Sequence, residues 1–199
     1  MTIPNSDKRV LRTKQDLRTS ILTLMEQKPF ADIFIKEIVE TAQYNRGTFY
    51  AHYDSKEQLL DEIINVLFED MEIAYRHPYV QLSVIELDKI ASESVVLFEH
   101  FLSNKRLYQL LLSPATNYNF HKKLTEKIDQ LFREDFIISK EIDPSVDLNL
   151  FNTYRIYGVV GLIVEWIEND FLQPPSYMSD QLLRILKFST PEVNVNQQR

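Results

Sequence analysis

The side chains best suited to chemistry are concentrated between positions 35 and 60, in the run IKEIVETAQYNRGTFYAHYDSKEQLL. This run carries guanidinium, hydroxyl and imidazole groups at short intervals, namely Arg46, Thr48, Tyr50 and His52. Such groups hydrogen-bond to the phosphate oxygens and base edges of a nucleic acid. We expect Thr48, Tyr50 and His52 to point outward from a short helix, while Phe49 points into the core.

Two short helices joined by a tight turn must position these side chains. Apolar spacing predicts helices over 35–42 and 45–52, the second small enough to enter the major groove of DNA. Gly47 lies near the start of the second helix, where a missing side chain allows close approach to a backbone or a neighbouring helix. Neither helix is long enough to be stable alone, so both must pack against a third. The amphipathic pattern from Asp7 to Gln27, with a basic first half, predicts that third helix.

The rest of the chain is predicted to form further helices separated by prolines. Asp54 and Ser55 offer N-cap chemistry before a helix whose apolar face runs from Leu59 to Met71. Later helical patterns span about 81–103, 105–112, 117–140, 147–171 and 177–188. The segment 156–167 is rich in β-branched residues and could form a buried strand, but its flanking three-residue spacing favours a helix. The sequence therefore predicts an all-α fold of about nine helices.

The run described above resembles the tetracycline-repressor-like (TetR) family of bacterial one-component regulators. The resemblance covers about 50 residues, and the most specific part is RGTFYAHYDSKEQLL. The matching residues are Ile35, Ile38, Ala42, Arg46, Gly47, Thr48, Phe49, Tyr50, His52, Tyr53, Ser55, Lys56, Glu57 and Leu59. The resemblance implies a helix-turn-helix DNA-binding domain over 1–53 and a helical effector-binding and dimerisation domain over 54–189, with a flexible polar tail over 190–199. The segment from Leu97 to Trp166 is similar to a subgroup common in low-GC Gram-positive bacteria.

Carried over residue by residue, the resemblance assigns DNA contacts to the second short helix and its flanks. It implies that Tyr50, His52 and Lys56 touch the DNA backbone. It implies that the groove-facing residues are Tyr44, Asn45, Arg46 and Thr48. The distribution of charge adds Lys36 as a cation that meets the phosphates. Arg46 can pair with two acceptors of a guanine or contact a phosphate, and both roles stay open. Tyr50 could instead pack between helices with a solvated hydroxyl, and Lys56 could be a solvated charge.

Two positions depart from the family pattern. Gln43 stands in the turn where the family usually has glycine or another small residue, so the turn must form without an easy left-handed residue. Phe34 stands where the family usually has a threonine or serine that caps the first short helix and touches phosphate. This removes the basis for a phosphate contact at Phe34 and leaves Asp32 or water to satisfy the free N–H groups.

The overall charge is negative, although its distribution is not uniform. The 199 residues contain 22 Lys and Arg against 29 Asp and Glu, and the net charge of −7 taken alone argues against a nucleic-acid binder. Residues 1–53 hold eight basic and six acidic side chains, a net +2, whereas residues 54–199 hold 14 and 23, a net −9. A mildly basic N-terminal domain is therefore joined to an acidic body that is kept away from phosphates.

Composition excludes several classes of protein. With no Cys and only three Gly, the chain lacks disulfides, thiolate metal sites, cysteine nucleophiles and phosphate-cradling glycine loops. His77, His100 and His121 show no metal-ligand spacing, so we expect no metal and no cofactor. The sequence contains no nucleophile elbow and no convincing carboxylate pair, so nothing in it indicates an enzyme. No segment resembles a signal peptide, and the longest apolar stretch, 156–164, is too short to span a bilayer, so we expect a cytoplasmic protein without membrane contact.

The C-terminal helices offer a dimer surface and candidate ligand contacts. The helix over 147–171 is apolar on more than one face, which predicts that its own core covers one side and a partner covers the other in a homodimer. Gly158 and Gly161 would let another helix approach closely. Aromatic side chains are numerous enough to line an effector pocket, although they could equally be ordinary core. The candidates are Phe98, Phe101, Tyr108, Tyr118, Phe132, Tyr154 and Trp166.

These observations together predict a dimeric regulator that binds a palindromic operator in double-stranded DNA. We expect it to act as a repressor that leaves the operator when a small-molecule effector binds the C-terminal helices. The alternative is a DNA-binding activator or nucleoid-associated factor that acts through a protein partner rather than a small ligand.

Overall fold

The computed structural model describes residues 5–78, 91–92, 95–116, 118–135 and 145–187, and over these ranges it contains only helices and their connections. The α-helices are α1 (Asn5–Met25), α2 (Ile35–Thr41), α3 (Arg46–Tyr50), α4 (Lys56–Arg76), α5 (Leu97–Ser103), α6 (Lys105–Leu112), α7 (Phe120–Asp135), α8 (Leu148–Glu168) and α9 (Pro175–Lys187). The predicted all-α fold is confirmed, and α8 is a helix rather than the alternative strand. The predicted tail over 190–199 lies outside the described residues, as do the segments 79–90 and 136–144.

The helix predicted over 81–103 is not helical throughout its described part. Residues 91, 92, 95 and 96 are not α-helical, and α5 starts only at Leu97. The Val95 N–H donates to the Ser92 carbonyl at 3.1 Å, which is the pattern of a tighter turn. The Val95 carbonyl accepts a hydrogen bond from the buried hydroxyl of Ser179 on α9 at 2.8 Å. A tertiary contact therefore occupies the backbone group that a continuing helix would need, and the prediction was wrong for these residues.

The helices α1, α2 and α3 form an N-terminal three-helix unit around a small apolar core. Leu17 and Ile21 of α1, Ile38 of α2 and Phe49 of α3 are fully buried. Because α2 and α3 have seven and five residues, their stability comes from this packing rather than from their own hydrogen bonds.

The turn between α2 and α3 contains a left-handed residue that is not glycine. Gln43 has a φ of 60°. The Gln43 N–H donates to the Glu40 carbonyl at 3.1 Å, and the Tyr44 N–H donates to the Val39 carbonyl at 2.8 Å. These two hydrogen bonds form a Schellman motif, which satisfies carbonyls at the end of α2. The side chain at position 43 makes this conformation unfavourable by about 1–2 kcal/mol.

Helix α4 joins the N-terminal unit to the body, the name used here for α5 to α9. The predicted N-cap is confirmed, because the Ser55 hydroxyl accepts the N–H of Gln58 at 3.2 Å. The residues of its predicted apolar face are all buried, namely Leu59, Leu60, Ile63, Ile64, Leu67, Phe68 and Met71. These residues belong to one continuous apolar core that extends from α1 to α9.

Glu62 of α4 fixes the N-terminal unit to this helix. Its carboxylate accepts hydrogen bonds from Lys14 at 2.8 Å, from Arg18, and from the Tyr53 hydroxyl at 3.1 Å. Burial acts to raise the pKa of Glu62, but the three donors outweigh burial and the pKa is lowered. Burial first, and then the charge of Glu62, raises the pKa of Tyr53 to about 12, so the phenol keeps its proton and donates.

A second set of contacts joins the body to the N-terminal unit and to the start of α4. Asp61 accepts hydrogen bonds from the Tyr118 hydroxyl at 2.5 Å and from Lys123 of α7 at 2.7 Å. Arg106 of α6 pairs with Glu26, just beyond α1, through two N–O distances of 2.6 Å. None of the helices in the described ranges is both long enough and apolar enough to cross a membrane.

Replacing Gln43 with glycine should stabilise the protein, because glycine adopts a φ near 60° without steric conflict at Cβ. We expect the free energy of unfolding, measured in urea, to rise by about 1 kcal/mol. Gln27→Gly is the matched control, since Gln27 lies in the turn after α1 and its φ is not positive. This control should lower the free energy of unfolding by about 0.5–1 kcal/mol. A Gln43→Gly variant no more stable than the wild type would contradict the strained turn.

Candidate nucleic-acid interface

Helix α3 begins at a capped N-terminus. The side-chain oxygen of Asn45 accepts the backbone N–H of Thr48 at 2.9 Å and the Thr48 hydroxyl at 3.3 Å. A Cβ built on Gly47 would lie 3.1 Å from the same Asn45 oxygen. The close approach predicted at Gly47 is therefore to this cap, and a side chain at position 47 would push against it.

Arg46 and Tyr50 lie one turn apart on α3 and are both exposed. The Tyr50 side chain is 55% exposed, and its ring meets the buried ring of Phe49 edge to face at 5.6 Å. The prediction that Phe49 is core is confirmed. Arg46 makes no hydrogen bond or ion pair with any residue that the structure describes. Its planar group of five N–H donors is consequently available to acceptors outside the protein.

Three further predicted contact residues flank this pair. Thr48 and His52 are partly exposed, and the His52 ring lies 6.4 Å from that of Tyr53. Lys36 is exposed on α2, and its ammonium lies 3.7 Å from the Glu40 carboxylate one turn later. An ion pair between two exposed side chains on one helix is weak, so Lys36 can exchange this carboxylate for a phosphate.

Tyr44, which the resemblance assigned to the groove, has a partner within the protein. It is half-buried against the apolar core, and its hydroxyl donates to Asp16 of α1 at 2.9 Å. Its hydroxyl holds the turn before α3 against α1. The structure thus gives Tyr44 a positioning role.

Lys56 also has partners within the protein. Its ammonium donates to the carbonyls of Phe30, Ala31 and Ile33 at 2.7, 3.0 and 2.7 Å, and it lies 4.7 Å from the centre of the Phe30 ring. An ammonium has three N–H donors, so all of them are used here. Lys56 therefore fixes the start of α4 to the 3-10 turn over Phe30–Asp32, which precedes α2.

The start of α2 is capped by a residue that sequence reasoning missed. Phe34 is the N-cap residue, and its ring offers no conventional acceptor. Its backbone N–H donates to Glu37 at 2.9 Å, so the carboxylate that compensates for Phe34 is Glu37 rather than the expected Asp32. Hydrogen bonds from Lys28 first, and then from Phe34, lower the pKa of Glu37. A glutamate three residues after the N-cap is the capping-box position, and this spacing was the signal available in the sequence.

The aromatic residues predicted to bind an effector differ in burial, and several pack into the core of the described residues. Four of them are packed in the body and at most 2% exposed, namely Phe98, Phe101, Tyr108 and Trp166. Phe98 meets Trp166 with ring centres 5.3 Å apart, and the indole N–H donates to the Gln173 carbonyl at 2.9 Å. Tyr118 and Phe132 are half-buried, whereas Tyr154 is 77% exposed on α8. The packing favours the ordinary-core interpretation for the four buried residues.

An open groove lies elsewhere, between α4 and α7. Its volume is about 440 Å³, and it is lined by residues that include Phe68, Lys123 and Lys127. None of the seven aromatic candidates lines this groove.

Two families match the sequence. Residues 19–63 match the family described as bacterial regulatory proteins, tetR family, and residues 89–188 match the family described as transcriptional regulator C-terminal region. The first match includes α2, α3 and the beginning of α4, and the second covers the body.

Individual proteins are similar over most of this chain. It is 26% identical over 184 residues to the uncharacterized HTH-type transcriptional regulator YxbF of Bacillus subtilis, a match that covers 90% of this chain and 46% of that protein. The chain thus spans about half the length of this curated relative. A TetR transcriptional regulator from Streptococcus agalactiae has a TM-score of 0.59 at 20% identity, over 91% of this chain and 97% of that one. The dihydroxyacetone kinase operon activator DhaS has a TM-score of 0.54 at 16% identity, over 88% and 94%.

Replacing Lys56 with methionine should destabilise the folded protein even when no DNA is present. Methionine keeps an apolar stem over Phe30 but leaves three carbonyls without their charged donor. We expect the free energy of unfolding in urea to fall by about 2 kcal/mol. Lys36→Met is the control at an exposed lysine and should change this value by less than about 0.5 kcal/mol. Equal stability of Lys56→Met and the wild type would refute the positioning role.

Proposed function

Because the chain belongs to the TetR family of bacterial regulatory proteins, we propose that it binds operator DNA as a homodimer and represses transcription until a small effector binds. The family and the similar proteins are regulators, which confirms the prediction that the chain is not an enzyme. The observation that carries the proposal is the geometry of α3. Arg46 and Tyr50 are exposed on a helix that is held by the Asn45 cap and by the buried Phe49. Such a helix can enter a major groove without rearrangement.

In this proposal the exposed residues make the DNA contacts. Arg46 pairs with a base edge or a phosphate, since its donors are free for two parallel hydrogen bonds. Tyr50 and His52 donate to phosphate oxygens on either side of the groove, and Thr48 lies between them. Lys36 contributes charge from α2. These contacts are polar and lie at the protein surface, so they form without disturbing the core.

Three other members of the predicted contact set act through their neighbours. Asn45 caps α3, Tyr44 fixes the preceding turn to α1, and Lys56 fixes the 3-10 turn before α2 to α4. Each of these contacts sets the angle at which α3 meets DNA. A displacement of about 1 Å in such a support is enough to weaken a site built on it.

The uneven charge suits this orientation on DNA. Residues 1–53 carry a net +2 and residues 54–199 a net −9, so the N-terminal unit approaches the phosphates and the body is repelled. A charge of +2 supplies little non-specific affinity. Tight binding therefore needs specific contacts and two copies of α3. The site of action would be the cytoplasm, where bacterial DNA is found.

Helix α8 offers the surface for the second copy. Leu150, Tyr154 and Tyr157 are 70%, 77% and 60% exposed, and they lie on one face of the helix with Gly158 and Gly161. A Cβ at either glycine would meet nothing within 4 Å, so neither glycine is required by packing within the protomer. Both would allow an α8 helix of a partner to approach closely. A two-fold dimer would present two α3 helices to the half-sites of a palindrome.

Release by an effector would act through the contacts between the body and the N-terminal unit. The rings of Phe30 and Tyr118 meet edge to face at 5.8 Å, and Arg106 of the body is paired with Glu26. An effector that prefers a body conformation with these contacts shifted would move α3 relative to its half-site. Its differential affinity for the two conformations would set the extent of release.

Activation through a protein partner is the second candidate. DhaS, a protein with the same fold, is named as an operon activator, so the fold itself is compatible with either sign of regulation. Transcription in vitro separates the two candidates. A repressor lowers the yield of the regulated transcript on addition of the protein alone, whereas an activator of this kind raises it and needs its partner.

Arg46→Ala should weaken specific binding to the DNA around the protein's own gene by about 10- to 100-fold, measured by gel shift and footprinting. Arg184→Ala is the control, since Arg184 is exposed on α9 in the body and should leave affinity unchanged. A base contact makes the loss depend on operator sequence, whereas a phosphate contact reduces the salt slope by about one. A folded, dimeric wild-type protein without specific binding would overturn the operator-binding proposal.

Tyr154→Glu should convert the dimer to monomers, because it places a charge in the centre of the apolar face of α8. Light scattering after gel filtration measures the mass of the variant. We expect operator affinity to fall at least tenfold when dimerisation is lost, and a tenfold change corresponds to about 1.4 kcal/mol. Ile73→Glu is the control, since Ile73 is 70% exposed on α4 and away from this face. A Tyr154→Glu variant that stays dimeric would place the interface elsewhere.

A further inference from the structure

Arg155 is a half-buried cation that the proposed DNA contacts and dimer surface do not use. It lies on α8, and its guanidinium is 5.0 Å from the ring centre of Phe132 on α7 and 5.5 Å from that of Phe151. Burial lowers the pKa of Arg155, and the nearby Tyr75 of α4 acts in the opposite direction. Arg155 therefore lies where α4, α7 and α8 meet.

The hydrogen-bonding capacity of this guanidinium is not used by the residues that the structure describes. Among the described residues, no carboxylate or carbonyl forms an ion pair or hydrogen bond with Arg155. Aromatic rings interact with the faces of a guanidinium, whereas its five N–H donors lie in its plane. Buried polar groups are normally paired, so a half-buried guanidinium whose donors meet no acceptor among the described residues indicates a binding role.

Other arginines beyond α3 differ from Arg155 in this respect. Arg76, Arg106, Arg133 and Arg184 each have a carboxylate within ion-pair distance. The protein is rich in acidic side chains, with 23 Asp and Glu over residues 54–199. A half-buried arginine with no carboxylate partner among the described residues therefore differs from these four.

We propose that Arg155 binds the carboxylate of a small organic acid in the body, and that Phe132 and Phe151 contact the apolar part of that acid. The guanidinium would donate two parallel hydrogen bonds to the carboxylate. The inference deepens the proposed function and rests on it in one respect, since the acid would then be the effector. Binding of the acid would affect the position of α4, and α4 begins at the N-terminal unit.

The surroundings select the chemical class of the ligand. Two aromatic rings favour an apolar or aromatic body, which gains from burial. The net charge of −9 over residues 54–199 repels a polyanion, and a dianionic phosphate would lose more hydration than a single carboxylate does. A monocarboxylate therefore fits this position better than inorganic phosphate or a nucleotide.

The test measures the melting temperature of the full chain with benzoate and with hexanoate at about 10 mM. Benzamide and hexanamide are the neutral probes, and inorganic phosphate is the alternative anion. We expect at least one of the two acids, but neither amide nor phosphate, to raise the melting temperature. Arg155→Met should raise the Kd for that acid at least tenfold, Arg155→Lys should raise it less, and Arg184→Gln should leave it unchanged.

The remaining outcomes would overturn the proposal. Equal shifts in the wild type and Arg155→Met would show that the acid binds elsewhere, and no shift with either acid would exclude this ligand class. A larger rise in melting temperature with phosphate than with either acid would show that the site prefers another anion to a carboxylate. If Arg155→Met and Arg155→Lys both melt well below the wild type without any probe, Arg155 is a packing residue.

A gel shift on the same variants separates this inference from the proposed function. Without a probe, Arg155→Met should bind the operator as the wild type does, because Arg155 is remote from α3. The wild type could bind an acid through Arg155 and yet bind no operator. That result would support the acid site and overturn the proposed function. An acid that binds through Arg155 without changing operator affinity would overturn its role as effector.

Discussion

The geometry of the N-terminal unit depends on the carboxylate of Glu62. Lys14 and Arg18 of α1 and the hydroxyl of Tyr53 all donate to it, so one group joins the first helix, the loop after α3 and the start of α4. Burial opposes its charge, but the donors outweigh burial and keep the carboxylate ionised. Removing the carboxylate would leave two cations without their partner, which is more unfavourable than losing an ordinary exposed ion pair.

The same helix connects that unit to the body through the preceding residue. Asp61 and Glu62 are adjacent, and successive residues of a helix point about 100° apart, so one carboxylate faces the body and the other faces α1. Asp61 accepts from Tyr118 and Lys123, and the Tyr118 ring contacts Phe30 in the N-terminal unit. The body and the DNA-binding helix therefore share a support rather than a flexible linker. Under the proposed function, a change in the body at this contact would be transmitted to α3 as a change in angle.

The fold was largely predictable from local patterns, and the supporting contacts were not. Helical spacing gave the core positions of α4, the inward Phe49 and the helical state of α8. Tyr44 and Lys56 were assigned to DNA from their positions in the motif, and a motif contains only local information. Their actual partners, Asp16 and the carbonyls of Phe30 and Ile33, are 28, 26 and 23 residues away. The helix predicted over 81–103 was wrong at Val95 for the same reason, because Ser179, 84 residues away, donates to the carbonyl of Val95.

Clustered aromatic rings and an unpaired arginine differ as indications of an effector site. An abundance of aromatic side chains is a weak indication, because rings satisfy one another in a core, as Phe98 and Trp166 do at 5.3 Å. The polar edge of Trp166 is satisfied as well, by the carbonyl of Gln173. Arg155 differs because its charge is half-buried and its N–H donors have no acceptor among the described residues. Ligand sites combine apolar walls with a few unsatisfied polar groups, whereas the polar groups of a core are normally paired. An unsatisfied polar group is therefore the better indication of a ligand site.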